Sequence, residues 1–234
     1  MALELAPFAV SWQALFYFFL TALFSVLSFA KKSFSGRGIV FGNIVGFLVF
    51  FLGGIQSFFA LVIFFTLAET ATSVARKKIG VAHEKRTGRN VLGNVGAALL
   101  ALFLGQVPAF FGGISAALSD TLSSELGLLS KKKPRLITTF EEVPAGTNGG
   151  MTFLGSLAAV AGALVIALVY FFVSSDPLVS LFVFIAGIVG SLADSLLGAL
   201  FENRGRLDKM QVNFFATLCG TMAVFLLQAL TLTL

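Results

Sequence analysis

Long apolar stretches alternate along this chain with short polar windows, and the polar windows hold every Lys and Arg. The sixteen bases fall in four places: residues 31–37, 76–89, 131–135 and 204–209. A membrane span needs about 20 apolar residues, and basic loops favour the cytoplasmic side. If all four windows lie on that side, an even number of crossings must separate each pair. Residues 12–29 then cross inward. Residues 38–75 go out and back, turning near Gly53-Gly54; 91–127 repeat this, turning at Gln106-Val107-Pro108. Residues 151–201 do so again, turning at Ser174-Ser175-Asp176-Pro177, and 212–234 leave. The pattern predicts an all-α polytopic bundle of about seven to eight spans, one integral-membrane domain over residues 1–234, with both termini outside. The outgoing arm at 39–52 is short for a full crossing and is expected to tilt, thin the bilayer or re-enter.

Composition agrees with the pattern. Of 234 residues, 57% are apolar and 12% charged, against about 45–50% and 25% in a soluble globule. That excludes a soluble enzyme, a disordered chain and a disulfide scaffold; continuous rather than alternating apolar runs argue against a β-barrel. A net charge of +5 would suggest nucleic acid in a soluble protein, but here the bases mark membrane topology and no nucleic-acid partner is expected. The first ten residues carry Glu4 and no base, unlike a signal peptide, so the first span is expected to stay. Cys219 stands alone, and no intrachain disulfide is possible.

The hairpins repeat one another. Asn43 to Glu69 and Asn94 to Asp120 both span 26 residues, and Glu69, Asp120 and Asp194 share a context: Leu67-Ala68-Glu69-Thr70, Leu118-Ser119-Asp120-Thr121, Leu192-Ala193-Asp194-Ser195. Gly113-Ile114 and Gly187-Ile188 precede the two Asp residues at equal distance. Three parallel hairpins, each returning an acid toward the cytoplasmic face, are predicted.

An ionised carboxylate near the bilayer centre costs at least about 2.5–3.5 kcal/mol, so Glu69, Asp120, Glu125 and Asp194 must face a bundle interior, a cavity or a partner. Asp120 and Asp194 lie ten or eleven residues before the next base, roughly 15 Å along a helix, a depth that suits a pocket open to the cytoplasm. The plainer alternative is that the acids pair with Arg37, with Arg89 or with one another to lock helices together. Asp120 and Glu125 are about 140° apart on a helix, so at most one is expected to point straight into a common pocket unless the helix breaks.

The helix starts on the same side are rich in glycine: Ser35-Gly36-Arg37-Gly38, Thr87-Gly88-Arg89-Asn90 and Ala145-Gly146-Thr147-Asn148-Gly149-Gly150. Backbone N–H groups freed by glycine, a helix N-terminus and a bidentate Arg all suit an anion. Beside embedded acids they point to a polyphosphate site with a divalent metal. A P-loop is absent, no His/Cys cluster offers zinc, and His83 beside Glu84 is expected to be solvated.

Five strings then carry a resemblance: Asp120-Thr-Leu-Ser-Ser-Glu125-Leu-Gly127, Pro134-Arg-Leu-Ile-Thr-Thr139, Val143-Pro-Ala-Gly-Thr-Asn-Gly-Gly150, Asp194-Ser-Leu-Leu-Gly-Ala199 and Val212-Asn213. In this order, from about Lys32 to Ala216, they resemble the integral-membrane family long labelled domain of unknown function 92, which includes phytyl-phosphate kinase, and more distantly dolichol kinase and the CTP-using lipid cytidylyltransferases. The resemblance implies phosphoryl transfer from a nucleoside triphosphate, CTP favoured, to an isoprenoid monophosphate such as phytyl or geranylgeranyl phosphate. It further implies Mg²⁺ held among Asp120, Asp194, Glu69 and Glu125, with Asp120, Asp194 and Glu125 serving catalysis. Arg37, Arg89, Asn90, Asn94, Arg135, the loop Gly146, Thr147, Asn148, Gly149 and Gly150, and Asn213 would hold nucleotide and phosphate. A transporter or flippase of an anionic lipid or metabolite, a lipid cytidylyltransferase, and a scaffold with buried acids are the rival readings.

Overall fold

The structure, a computed structural model, describes residues 12–30, 33–81 and 85–232. Residues 1–11, and His83 with Glu84, lie outside them. Among the described residues seven helices follow in order: α1 (Trp12–Ala30), α2 (Gly36–Ile79), α3 (Gly88–Phe103), α4 (Val107–Gly127), α5 (Phe153–Ser174), α6 (Pro177–Leu197), continued by one π-helical turn (Gly198–Glu202), and α7 (Lys209–Leu232). Two short antiparallel strands, β1 (Arg135–Leu136) and β2 (Gly150–Met151), close the loop between α4 and α5. Helices α2, α5, α6 with its π turn, and α7 are long and apolar enough to cross a membrane; α1 contributes a shorter apolar stretch, Leu15–Ala30.

α2 is itself a hairpin. Gly54 adopts φ 72°, ψ −179°, a conformation open essentially only to glycine, and the chain folds back so that a Cβ on Gly46 would lie 3.3 Å from the Phe58 ring. The outgoing arm is longer than the apolar run suggests, because Ser35 caps it by accepting from the Gly38 N–H at 3.1 Å. The second turn falls at Leu104-Gly105-Gln106, with Gly105 at φ 71°. Pro108 was expected within that turn. It instead sits in the first turn of α4, where its missing N–H breaks no helical bond. The third turn is capped by Asp176, which accepts from Val179 N–H at 3.0 Å ahead of Pro177.

The basic windows gather at one end of the bundle. The linkers before α2 and α3 pair there, Arg86 N–H donating to Ser33 O at 2.8 Å and Ser35 N–H to Arg86 O at 3.0 Å. α4 is the central helix, buried almost continuously from Ala109 to Ser119 and packed by α2, α3, α5, α6 and α7. Its small residues explain how so many neighbours fit. In lipid the hydrophobic effect gives helices little reason to associate, and Gly, Ala and Ser let backbones approach closely enough for dispersion to hold them.

Candidate functional site at the basic end of the bundle

The site grows out of that close packing. A Cβ on Gly190 of α6 would collide with the Ala116 Cβ of α4, and one on Gly220 of α7 would come within 2.6 Å of the same atom. One helical turn onward from Ala116 and Gly190 lie Asp120 and Asp194, so the contact of the two backbones carries the two acids to each other. Their carboxyl groups are in hydrogen-bond contact. Two carboxylates so close repel, and the pair is stable only with a proton or a cation between them.

α7 adds the next layer. Asn213 lies between Asn94 of α3 and Asp194: its Nδ2 donates to Asn94 Oδ1 at 2.9 Å in one orientation, and with both amides turned over it donates instead to Asp194 Oδ2 at 3.3 Å and accepts from Asn94. Asn94 and Asn213, singled out separately from the sequence, thus form one polar strut behind the acid pair. The start of α7 is held by a reciprocal cap: Gln211 N–H donates to Asp208 at 3.0 Å and Asp208 N–H to Gln211 at 2.9 Å.

The glycine-rich loop covers the pair. Gly146 and Gly149 have φ 86° and 77°, which no side chain tolerates without strain. A Cβ on Gly149 would also lie 2.6 Å from both Ser195 O and Ala199 Cβ. The loop therefore rests directly on α6 at its π turn, pinned by Asn203 Nδ2 donating to Asn148 O at 2.9 Å and by Ile137 N–H donating to Gly149 O at 2.9 Å.

The cavity between loop and helices has a volume of about 170 Å³. Its wall includes Asp120, Glu125, Gly146 to Gly150, Asp194 and Asn213, and also Arg76, Glu202 and Lys209. The last three carried no sequence signal that singled them out. Eight residues separate Asp194 from Glu202, about 80° off one face of a regular helix. The π turn takes one residue more, so the same eight residues make nearly two whole turns and Glu202 comes back to the cavity side. Asn148 hydrogen-bonds to its side chain. Both Asp120 and Glu125 reach the cavity although α4 is unbroken, contrary to the helical-wheel expectation. The cavity wraps around the end of α4, and Arg76 of α2 meets Glu125 on the far side at 3.4 Å.

Several expected site residues are not brought here. Glu69 meets Arg86 at 3.4 Å, and Arg86 also donates to Thr72 Oγ1 at 3.1 Å. Burial lowers the affinity of the Arg86 guanidinium for its proton, an effect opposed by Glu69 and Glu125. Arg89 binds Asp208 at 2.6 Å with both side chains largely in solvent. Asn90 accepts from Thr87 N–H at 2.8 Å, capping α3. Arg37 and Arg135 are exposed, outside the cavity wall. Among the described residues no group of three or more His, Cys, Asp or Glu is placed to hold a metal ion unaided. The four acids expected around Mg²⁺ are thus not assembled as one cage; Asp120 and Asp194 are the two in contact. An all-oxygen carboxylate pair still suits Mg²⁺, which keeps several waters and takes one or two carboxylates plus phosphate oxygens.

A second cavity, about 260 Å³ and mostly apolar, lies between α1 and the two arms of α2. Phe58, Leu61 and Gly46 form its inner part, while Thr66, Glu69, Thr70 and Ser33 line it toward the basic end. From Phe58 to Thr70 is twelve residues, about 18 Å of helix, close to one leaflet of hydrocarbon.

The family described as integral membrane protein DUF92 matches residues 19–221. An uncharacterized membrane protein of Methanocaldococcus jannaschii, MJ0933, is 41% identical over 81% of this chain and 84% of its own length. Protein PGR of Arabidopsis thaliana is 32% identical over 83% of this chain and 81% of its own. Protein VTE6, chloroplastic, also of Arabidopsis thaliana, is 30% identical over 83% of this chain and 65% of its own. No solved structure matches.

Proposed function

The chain belongs to the integral-membrane DUF92 family, and from that premise we propose that it is a membrane-embedded phosphotransferase. Its donor is a nucleoside triphosphate, CTP favoured, and its acceptor an isoprenoid monophosphate such as phytyl or geranylgeranyl phosphate. One observation carries the reading: the Asp120–Asp194 pair lies beneath a glycine-rich loop in a cavity walled by four acids and two bases. Such a wall repels a bare polyphosphate and accepts one that arrives with divalent cation. The resemblance to the family of phytyl-phosphate kinase supports the acceptor class, and the gathering of basic residues at one end of the bundle supports a cytoplasm-facing site.

In the reaction a phosphate oxygen of the acceptor bonds to the γ-phosphorus as its bond to the β-bridging oxygen breaks, giving isoprenoid diphosphate and nucleoside diphosphate. The attacking oxygen is already anionic near neutral pH, so no side chain need abstract a proton. Alignment and charge neutralisation are the whole task. Mg²⁺, when bound, shields the phosphates from one another. Asp120 and Asp194 would hold it, with the Asn94–Asn213 strut fixing the rotamer of Asp194. Backbone N–H groups of the 146–150 loop would meet phosphate oxygens. The isoprenoid tail would lie in the apolar cavity beside α1, where bilayer and protein are equally apolar.

The test is a purified-protein assay with labelled CTP or ATP, Mg²⁺ and prenyl monophosphates. Diphosphate should form in the parent protein, and Asp120→Asn should abolish it while the protein still inserts. Retained turnover in that variant refutes the assignment. Movement of an anionic lipid across sealed vesicles without nucleotide consumption would establish the transporter reading instead.

A further inference from the structure

Among the described residues two cationic side chains line the polar cavity, and one of them is committed. Arg76 is held by Glu125 at 3.4 Å. Lys209 differs. It is the first residue of α7, its backbone is fixed by the Asp208–Gln211 cap, and its side chain is exposed at the cavity. Among the described residues it makes no ion pair, yet it lies within electrostatic reach of Asp120, Asp194 and Glu202 together. A flexible four-carbon stem on a fixed Cα lets the ammonium reach either inward to these acids or outward to the cavity mouth.

The geometry points to Lys209 as an exchangeable counter-ion. Without ligand its ammonium shares the field of the three carboxylates; when a divalent ion takes that place, the ammonium turns to the incoming phosphate and holds it. Metal and lysine compete for the same negative field, whereas nucleotide and lysine attract. A lysine that merely stabilised the fold would show neither opposed effect. This inference rests on the phosphotransferase reading of the cavity.

Two measurements on the full chain in lipid nanodiscs test it. In the parent protein, acylation of Lys209 by an amine-reactive ester, followed by peptide mass spectrometry, should quicken when Mn²⁺ is added alone. It should slow below the metal-free rate when Mn²⁺ and CTP or ATP are added together. Lys209→Met should bind Mn²⁺ about fivefold or more tightly, the lower end of ordinary coupling between sites, while its kcat/KM for nucleotide falls about 100-fold. Lys209→Arg should return Mn²⁺ affinity toward the parental value. Acylation indifferent to Mn²⁺, or unchanged or weaker Mn²⁺ binding in Lys209→Met, overturns the inference. Asp120→Asn separates the two ideas. Loss of Mn²⁺ binding there keeps the metal reading even if lysine exchange fails. Undiminished Mn²⁺ binding removes the site, and the exchange with it.

Discussion

The hairpin of α2 and the hairpin of α3 and α4 begin from nearly the same instructions and end in different chemistry. Each opens with Gly-Asn and returns an acid 26 residues after the Asn. In the first, Asn43 donates to Ser25 at 2.9 Å and Glu69 is matched by Arg86, beside a cavity that is mostly apolar. In the second, Asn94 is joined to Asn213 and Asp120 meets another acid, Asp194. The difference lies in the neighbours. α2 has α1 and the Arg86 linker beside its acid; α4 has α6, whose own acid arrives at the same level because Gly190 admits Ala116. An embedded carboxylate facing an arginine is charge-matched across two helices, whereas one facing a second carboxylate needs a proton or a cation between them.

The contrast breaks most visibly at the acids. Asp194→Asn is expected to remove Mn²⁺ binding and reduce phosphoryl transfer by about 1000-fold, the scale of losing a principal electrostatic group. Glu69→Gln should leave Mn²⁺ binding intact and instead lower stability by about 3 kcal/mol, because the buried Arg86 loses the carboxylate it is paired with. Arg86→Met in the same protein should restore much of that loss, read by thermal unfolding in detergent. Equal metal loss in Glu69→Gln and Asp194→Asn would erase the distinction between the hairpins.

A smaller effect sharpens it. Gly149→Ala should lift the loop from Ser195 and Ala199 and lower kcat/KM for nucleotide by about 10- to 100-fold, with Mn²⁺ affinity little changed. Equilibrium binding and turnover on the same preparation separate the two. Least of all, Arg89→Ala should cost under about 1 kcal/mol, as exposed ion pairs do, and leave the nucleotide KM near its parental value. A large rise in that KM would return Arg89 to the phosphate site that its Thr-Gly-Arg-Asn context suggests.

Much of this was legible before any fold. The hairpin parity follows from where Lys and Arg occur, and the eight helical arms of the described residues obey it once α2 is seen as two. The acids and the glycine loop stand out because each is costly in its setting. The arginines were ambiguous for a physical reason: a Gly-Arg at a helix start looks alike whether its guanidinium meets a phosphate or, as for Arg89 in this structure, an aspartate more than a hundred residues away. Glu202 was invisible because helical counting assumes a regular turn, and a single π turn shifts the face.

The sequence by itself determined that the protein lives in a bilayer, how its hairpins alternate and which groups are too polar to sit there idly, since these depend on transfer energies of residues taken one at a time. Only the tertiary structure decided that Asp120 meets Asp194 while Glu69 meets Arg86, and that Lys209 overlooks three acids. Those facts depend on distances between helices, which glycine and alanine contacts far along the chain set, and electrostatic energy changes steeply over just those few ångströms.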